Sequence, residues 1–214
     1  MAKQDLIIYG ASGHGKVVLD AARCSGRFRV VGFLDDNPLL SNQMPGGLPI
    51  LGGRERLAEY RGCQIVLGIG PNEARRAVAE RVHALGFQFA LVIHPAACIA
   101  PGVSLGAGTV VMAGVVVNVD TRIGKHVILN TGATVDHDNV IHDFVHLSPG
   151  VHLAGNVTVG KLSHVGIGAS VIPGVSIGAR CIVGAGAAVI GNMDDDVTAV
   201  GVPARAIQRN PLKR

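Results

Sequence analysis

Every sixth residue from Ile99 to Val189 is aliphatic: Ile99, Leu105, Val111, Val117, Ile123, Leu129, Val135, Ile141, Leu147, Leu153, Val159, Val165, Val171, Ile177, Val183 and Val189. The register runs unbroken through sixteen hexads. Small or polar residues fill the gaps, commonly with a glycine next or three later, as in Leu105-Gly106-Ala107-Gly108. A β-sandwich with alternating strands would not hold a six-residue period over roughly ninety residues. It predicts a parallel β-helix in which each hexad is one short strand and a turn, and three hexads close a triangular coil. Residues eighteen apart then stack on neighbouring coils, and the ends of the stack need caps.

The chain before this repeat has another rhythm. Leu6–Tyr9 reads as a strand, Gly10-Ala11-Ser12-Gly13-His14-Gly15 as a glycine loop, Lys16–Cys24 as a helix and Val30–Leu34 as a second strand, together a βαβ unit. A second strand and helix follow, with Gln64–Ile69, the turn Gly70-Pro71-Asn72-Glu73, and a helix whose apolar face carries Ala74, Ala77, Val78, the Arg81 stem, Val82 and Leu85. Asn72 is placed to cap that helix. Pro38, Pro45 and Pro49 make the middle loops, with a short helix near Arg54–Tyr60, and Phe87–Ile93 reads as a last strand. The expected organisation is a Rossmann-like α/β domain over 1–97 and a β-helix domain with a C-terminal tail over 98–214.

Composition changes little in this picture. The prism tolerates few rings, and aromatic residues are 3% of the chain, with no Trp. A net charge of +4 without a basic run interleaved with aromatics gives nucleic-acid binding little support. Cys24, Cys63, Cys98 and Cys181 lack paired metal spacing and read as reduced, buried fillers. No apolar run reaches a membrane span or resembles a signal peptide, so the cytoplasm is the simplest compartment, without membrane insertion.

Two groups of residues carry candidate chemistry. A glycine loop that opens a helix offers backbone N–H groups and partial positive charge to a phosphate, although glycines at 10, 13 and 15 are not spaced as in the dinucleotide fingerprint. Asp35 and Asp36 end the second strand, where a carboxylate can reach a ribose or base; a solvated turn is the plain alternative. Inside the repeat stand His137, Asp138, His142 and His146, then His152 and His164. His146 and His164 are eighteen apart, and His137 is expected in the same region near an edge. An imidazole steered by Asp138 suits a general base at neutral pH, whereas His83, His126 and His152 read as surface or satisfied core residues.

Five stretches together resemble one family: Tyr9-Gly10-Ala11-Ser12-Gly13-His14-Gly15, Leu34-Asp35-Asp36, Gly68-Ile69-Gly70-Pro71-Asn72-Glu73, Leu129-Asn130-Thr131-Gly132-Ala133-Thr134-Val135-Asp136-His137-Asp138, and Gly201-Val202-Pro203-Ala204-Arg205. They are similar to the sugar O- and N-acyltransferases of the left-handed β-helix class, which include sialic acid O-acetyltransferases and nucleotide-4-aminosugar N-acetyltransferases. The resemblance implies a left-handed coil, against the usual right-handed crossover. It also implies His137 as catalytic base with Asp138 raising its basicity, and nucleotide-sugar contacts at Ser12, Gly13, His14, Asp35, Asp36 and Glu73. Acetyl-CoA contacts are implied at His146, Ile167 and Ala185, and the active unit is implied to be a homotrimer with acetyl-CoA between neighbouring prisms.

The chemistry that follows is direct transfer of an acetyl group from acetyl-CoA to a nucleotide-activated amino-sugar (UDP, GDP or dTDP), at the 4-amino group, without a metal. The backbone N–H at Gly155, where no side chain blocks the thioester, is a candidate donor to the oxyanion. O-acetylation of sialic acid is the alternative. Two remoter ones are a non-catalytic scaffold and a zinc enzyme, since His137 and His142 have the separation of the γ-class carbonic anhydrase ligands; a catalytic zinc needs a third protein ligand, and the place thirty-six residues before His137 holds Pro101.

Overall fold

The computed structural model describes residues 3–209, so the outermost ends of the two expected domains, 1–2 and 210–214, lie outside the described residues. β1 (Gln4–Tyr9), α1 (Gly13–Cys24) and β2 (Phe28–Leu34) form the βαβ unit, and β3 (Gln64–Leu67) completes a parallel sheet in the order β2-β1-β3. Leu6 and Ile8 pack with α1, while Ile7 and Tyr9 pack with α2 (Asn72–Ala84). Helices thus cover both faces, which is why Leu6–Tyr9 of β1 is a continuous apolar run. Gly10, Gly15 and Gly68 let the loop, helix and third strand meet: a Cβ on Gly15 would lie 2.0 Å from the Gly10 carbonyl oxygen.

The repeat folds as its period predicts. Each aliphatic position from Ile99 to Val189 is the second residue of a two-residue strand, from β5 (Cys98–Ile99) to β20 (Ala188–Val189), and strands eighteen residues apart pair in parallel on three faces. The first face holds Ile128–Leu129, His146–Leu147 and His164–Val165; the second holds Thr134–Val135 and His152–Leu153; the third holds Val140–Ile141 and Thr158–Val159. Three residues after each aliphatic position the chain turns with positive φ, at every sixth residue from Gly102 to Gly186. Glycine serves many of these corners, and Asp, Asn and His, which tolerate that region better than other side chains, serve several others.

Several expectations are corrected. The expected strand Phe87–Ile93 is divided: Phe89 forms a parallel bridge with Ile65 of β3, while Val92–Ile93, β4, pairs with Val110–Val111 as the first rung of the prism. Pro71, not Asn72, stands at the N-cap of α2, and the buried face of that helix is Arg75, Val78, Ala79 and Val82; Ala74, Ala77, Arg81 and Leu85 are exposed. Only Cys181 of the four cysteines is buried; Cys98 opens a rung, where the side chain points outward, and Cys24 ends α1. His126 is buried, and its Nδ1 has no hydrogen-bond partner. Among the described residues no helix is long and apolar enough to cross a membrane.

Arg75 explains the turned face of α2. It is 1% exposed and has no carboxylate beside it. Its guanidinium donates to the carbonyls of Ile69 (3.1 Å) and Gly70 (2.6 Å) in the α/β domain and to those of His126 (2.9 Å) and Phe144 (2.9 Å) on successive coils. Asn72 accepts from Arg75 and donates to the carbonyls of Leu162 (2.8 Å) and Ser163 (3.1 Å). His126, Phe144 and Leu162 all stand at positive-φ corners, eighteen apart. Burial lowers the pKa of Arg75 to about 9, so it remains charged at neutral pH. Replacing Arg75 with Leu strands these carbonyls, each worth about 1–3 kcal/mol when left unsatisfied, and the expected net loss is about 2–4 kcal/mol in urea unfolding. Arg75→Lys, which keeps the charge but not the planar fork, is expected to recover less than half of it.

Candidate active site

His137 and Asp138 occupy the corner between the second and third faces, in the turn from Thr134–Val135 to Val140–Ile141. Asp138 is a positive-φ residue (φ 59°), and this kink brings its Oδ2 to 2.7 Å from His137 Nδ1. That hydrogen bond is the main cause that raises the His137 pKa above its ordinary value. The ring lies over Gly155 on the next coil, where an added Cβ would come within 2.6 Å of Nε2. The Gly155 N–H has no acceptor among the described residues. Both members of the pair are exposed, so the Nε2 side of the imidazole is open to an incoming molecule.

Two residues that the motif reading passed over hold this corner. Asp136 Oδ1 accepts from the His137 backbone N–H (2.9 Å) and from Asn118 Nδ2 (2.8 Å) one coil earlier. Buried Asn139 donates to the Asp136 and Ala154 carbonyls, tying adjacent coils together. Asn118 and Asp136 are eighteen apart, so the repeat itself carried the signal for their contact.

A second group surrounds a cavity of about 250 Å³ in the α/β domain, lined by Tyr9, Gly10, Ser12, Asp35, Asp36 and the 68–71 turn. The Asp35 carboxylate accepts the Ala11 N–H (2.8 Å) and the Asn37 N–H (2.9 Å), which fixes the glycine loop. Asp36 accepts the Tyr9 hydroxyl (2.7 Å) and the Arg54 N–H (2.9 Å), with Arg81 3.7 Å away. Burial and Asp36 together raise the Tyr9 pKa, keeping it a donor. Gly13 opens α1 with free space around its Cα. Glu73 pairs with Arg76 (2.9 Å) and does not line the cavity.

His14 leads from this domain to the prism. Its ring lies 6.2 Å from that of His146, which stacks on His164 at 4.7 Å. Burial lowers the His14 pKa to about 4 and that of His146 to about 3, so both are neutral where His137 is the more basic imidazole. The expected single cluster therefore does not form: His146 sits on the first face and His137 at the opposite corner, because nine residues is half of an eighteen-residue coil. Ile167 and Ala185 are exposed, one above the other, at the corner between the first and second faces. His142 is exposed, and His152 bonds Thr134 at 2.8 Å on the second face. Among the described residues no three His, Cys, Asp or Glu donors gather around His137 and His142.

The chain is similar to several known proteins. Residues 5–82 match the PglD N-terminal domain. A curated relative, UDP-N-acetylbacillosamine N-acetyltransferase of Bacillus subtilis (strain 168), is 42% identical over 115 residues, and the match spans about half of each protein, 51% of this chain and 52% of the relative. PerB from Caulobacter crescentus, solved with CoA and GDP-perosamine, is 40% identical over 97% of this chain and 99% of its own, with a TM-score of 0.91. The acetyltransferase domain of PglB from Neisseria gonorrhoeae FA1090, solved with acetyl coenzyme A, is 35% identical over 96% of this chain and 100% of its own, with a TM-score of 0.90. With such identity along almost the entire length of both chains, this chain belongs to the sugar acyltransferase family of left-handed β-helix, hexapeptide-repeat enzymes.

Proposed function

We propose that the chain is an acetyl-CoA-dependent N-acetyltransferase that acylates the 4-amino group of a nucleotide-linked amino-deoxysugar, with His137 as general base. The observation that carries this reading is the His137 Nδ1–Asp138 Oδ2 contact of 2.7 Å with the opposite nitrogen open above a glycine. Support for the substrate class comes from PerB, solved with CoA and GDP-perosamine, and from the bacillosamine relative. The amine nitrogen attacks the thioester carbonyl, its proton passes to His137 Nε2, and the C–S bond breaks to release CoA. The Gly155 N–H faces the developing oxyanion. Asp138 stabilises the imidazolium, and the departing thiolate can take the proton back. On this reading Ser12, Gly13 and His14 contact the nucleotide-sugar, His146 contacts acetyl-CoA, and Asp35 and Asp36 shape the end that holds the nucleotide.

The base and this cavity lie on opposite sides of one prism, so a complete site needs a second copy. The reading therefore includes a homotrimer, in which the His137 corner of one subunit faces the first face of its neighbour and acetyl-CoA runs along Ile167 and Ala185 between them.

Release of CoA thiol from acetyl-CoA, with a panel of UDP-, GDP- and dTDP-linked 4-amino sugars and free sialic acid, tests the proposal. One nucleotide sugar is expected to turn over, and His137→Ala to lower kcat by about 10²–10⁴-fold; turnover of sialic acid alone would overturn the N-acetyl reading. Asp138→Asn removes the interaction that raises the His137 pKa, so the acid limb of the kcat/KM profile should move to lower pH while the plateau falls. Gly155→Ala pushes the ring off its seat without straining the backbone. The His137 titration followed by NMR should then drop towards the ordinary imidazole value, and an unchanged midpoint would separate ring placement from the Asp138 contact.

A further inference from the structure

Asp20 and Cys24 lie one helical turn apart on the last part of α1, and His94 follows β4, the rung on which that helix packs. One ligand atom from each, the Asp20 carboxylate, the Cys24 Sγ and a ring nitrogen of His94, all lie within 4.8 Å of one another. Among the described residues these are the sole three His, Cys, Asp or Glu side chains so gathered. We propose that they form a zinc site that clamps α1 to the first coil of the prism, separate from the acetyl-transfer machinery.

The donor set is the argument for zinc. One thiolate, one imidazole and one carboxylate suit a borderline-soft ion, and three protein ligands leave the fourth tetrahedral position to water. Bonds of about 2.0–2.3 Å place tetrahedral ligands about 3.3–3.8 Å apart. Closing from 4.8 Å asks for a shift of little more than about 1 Å in two exposed side chains and one half-buried ring. The Ala96 N–H now donates to His94 Nδ1 at 3.0 Å; zinc either displaces that bond or takes Nε2 and leaves the ring proton on Nδ1. Ala96 is exposed, so water replaces what is lost. Binding releases the Cys24 thiol proton: the S–H bond is broken, the S–Zn bond forms, and buffer takes the proton.

Zinc titration of the full chain, with cobalt as a spectroscopic stand-in, tests the site. The expected result is one zinc per chain, at least tenfold weaker in each of Cys24→Ser, His94→Ala and Asp20→Asn. The cobalt form should show a thiolate charge-transfer band that Cys24→Ser abolishes. Zinc at about a hundred times the wild-type Kd should raise the wild-type Tm by roughly 5–10 °C and that of Cys24→Ser by no more than about half as much. A charge-transfer band that survives Cys24→Ser, or equal zinc affinity in all four proteins, would overturn the assignment, and neither result depends on whether the chain transfers acetyl groups.

Discussion

Arg75 is the interaction on which the relative placement of everything else depends. A charged side chain without a carboxylate partner is expensive to bury, and it is tolerated here because carbonyls converge on it from both halves of the chain. Those on the prism side come from corners at His126 and Phe144 that turn through positive φ. Such a corner costs about 1–2 kcal/mol for a residue with a side chain. The return is a column of outward carbonyls at a fixed eighteen-residue spacing, which a planar guanidinium and the Asn72 amide can read together. The hexad repeat thus does more than fill the prism: it makes the ladder onto which α2 docks, and α2 in turn follows the 68–71 turn that walls the α/β cavity.

The same seam explains why chemically identical side chains behave in opposite ways. His14, His126 and His146 are desolvated beside Arg75, and burial adds to the repulsion from its charge, so all three remain neutral well below their ordinary pKa. His137 lies on the far corner, in solvent, with Asp138 at hydrogen-bond distance, and moves the other way. A general base near neutral pH needs the second environment. Neutral imidazoles that only shape or contact a ligand are better kept in the first.

The prism was legible in the sequence because one inward position of every hexad admits only aliphatic residues, and that constraint repeats too often to be missed. The first rung was not, because Val92–Ile93 precedes the Pro95 break and lacks the glycine that marks most later corners. Asn72 looked like a cap, since local rules see only its own helix; its amide is instead drawn to Leu162 and Ser163, about ninety positions away. The buried face of α2 was misjudged for the same reason, as no local pattern announces that an arginine will be the residue buried. The pair His137–Asp138 could be read from its adjacency. The grouping of His137 with His146 could not, because proximity along the chain is the wrong measure in a coil of eighteen.

Position within that coil also orders the chemistry. Residues on the first face meet the α/β domain, those at the corner before the third face include the His137–Asp138 pair, and those at the corner after the first face form an exposed stripe. A prism whose interior is one aliphatic layer across cannot bring two of these together within one chain, since its core would have to be removed. Under the proposed function, bringing a base to an amine held at the first face therefore falls to a neighbouring prism, laid corner to face. On this view the narrowness imposed by the hexad repeat, which excludes aromatic rings from the core, is also what divides the site between copies of the chain.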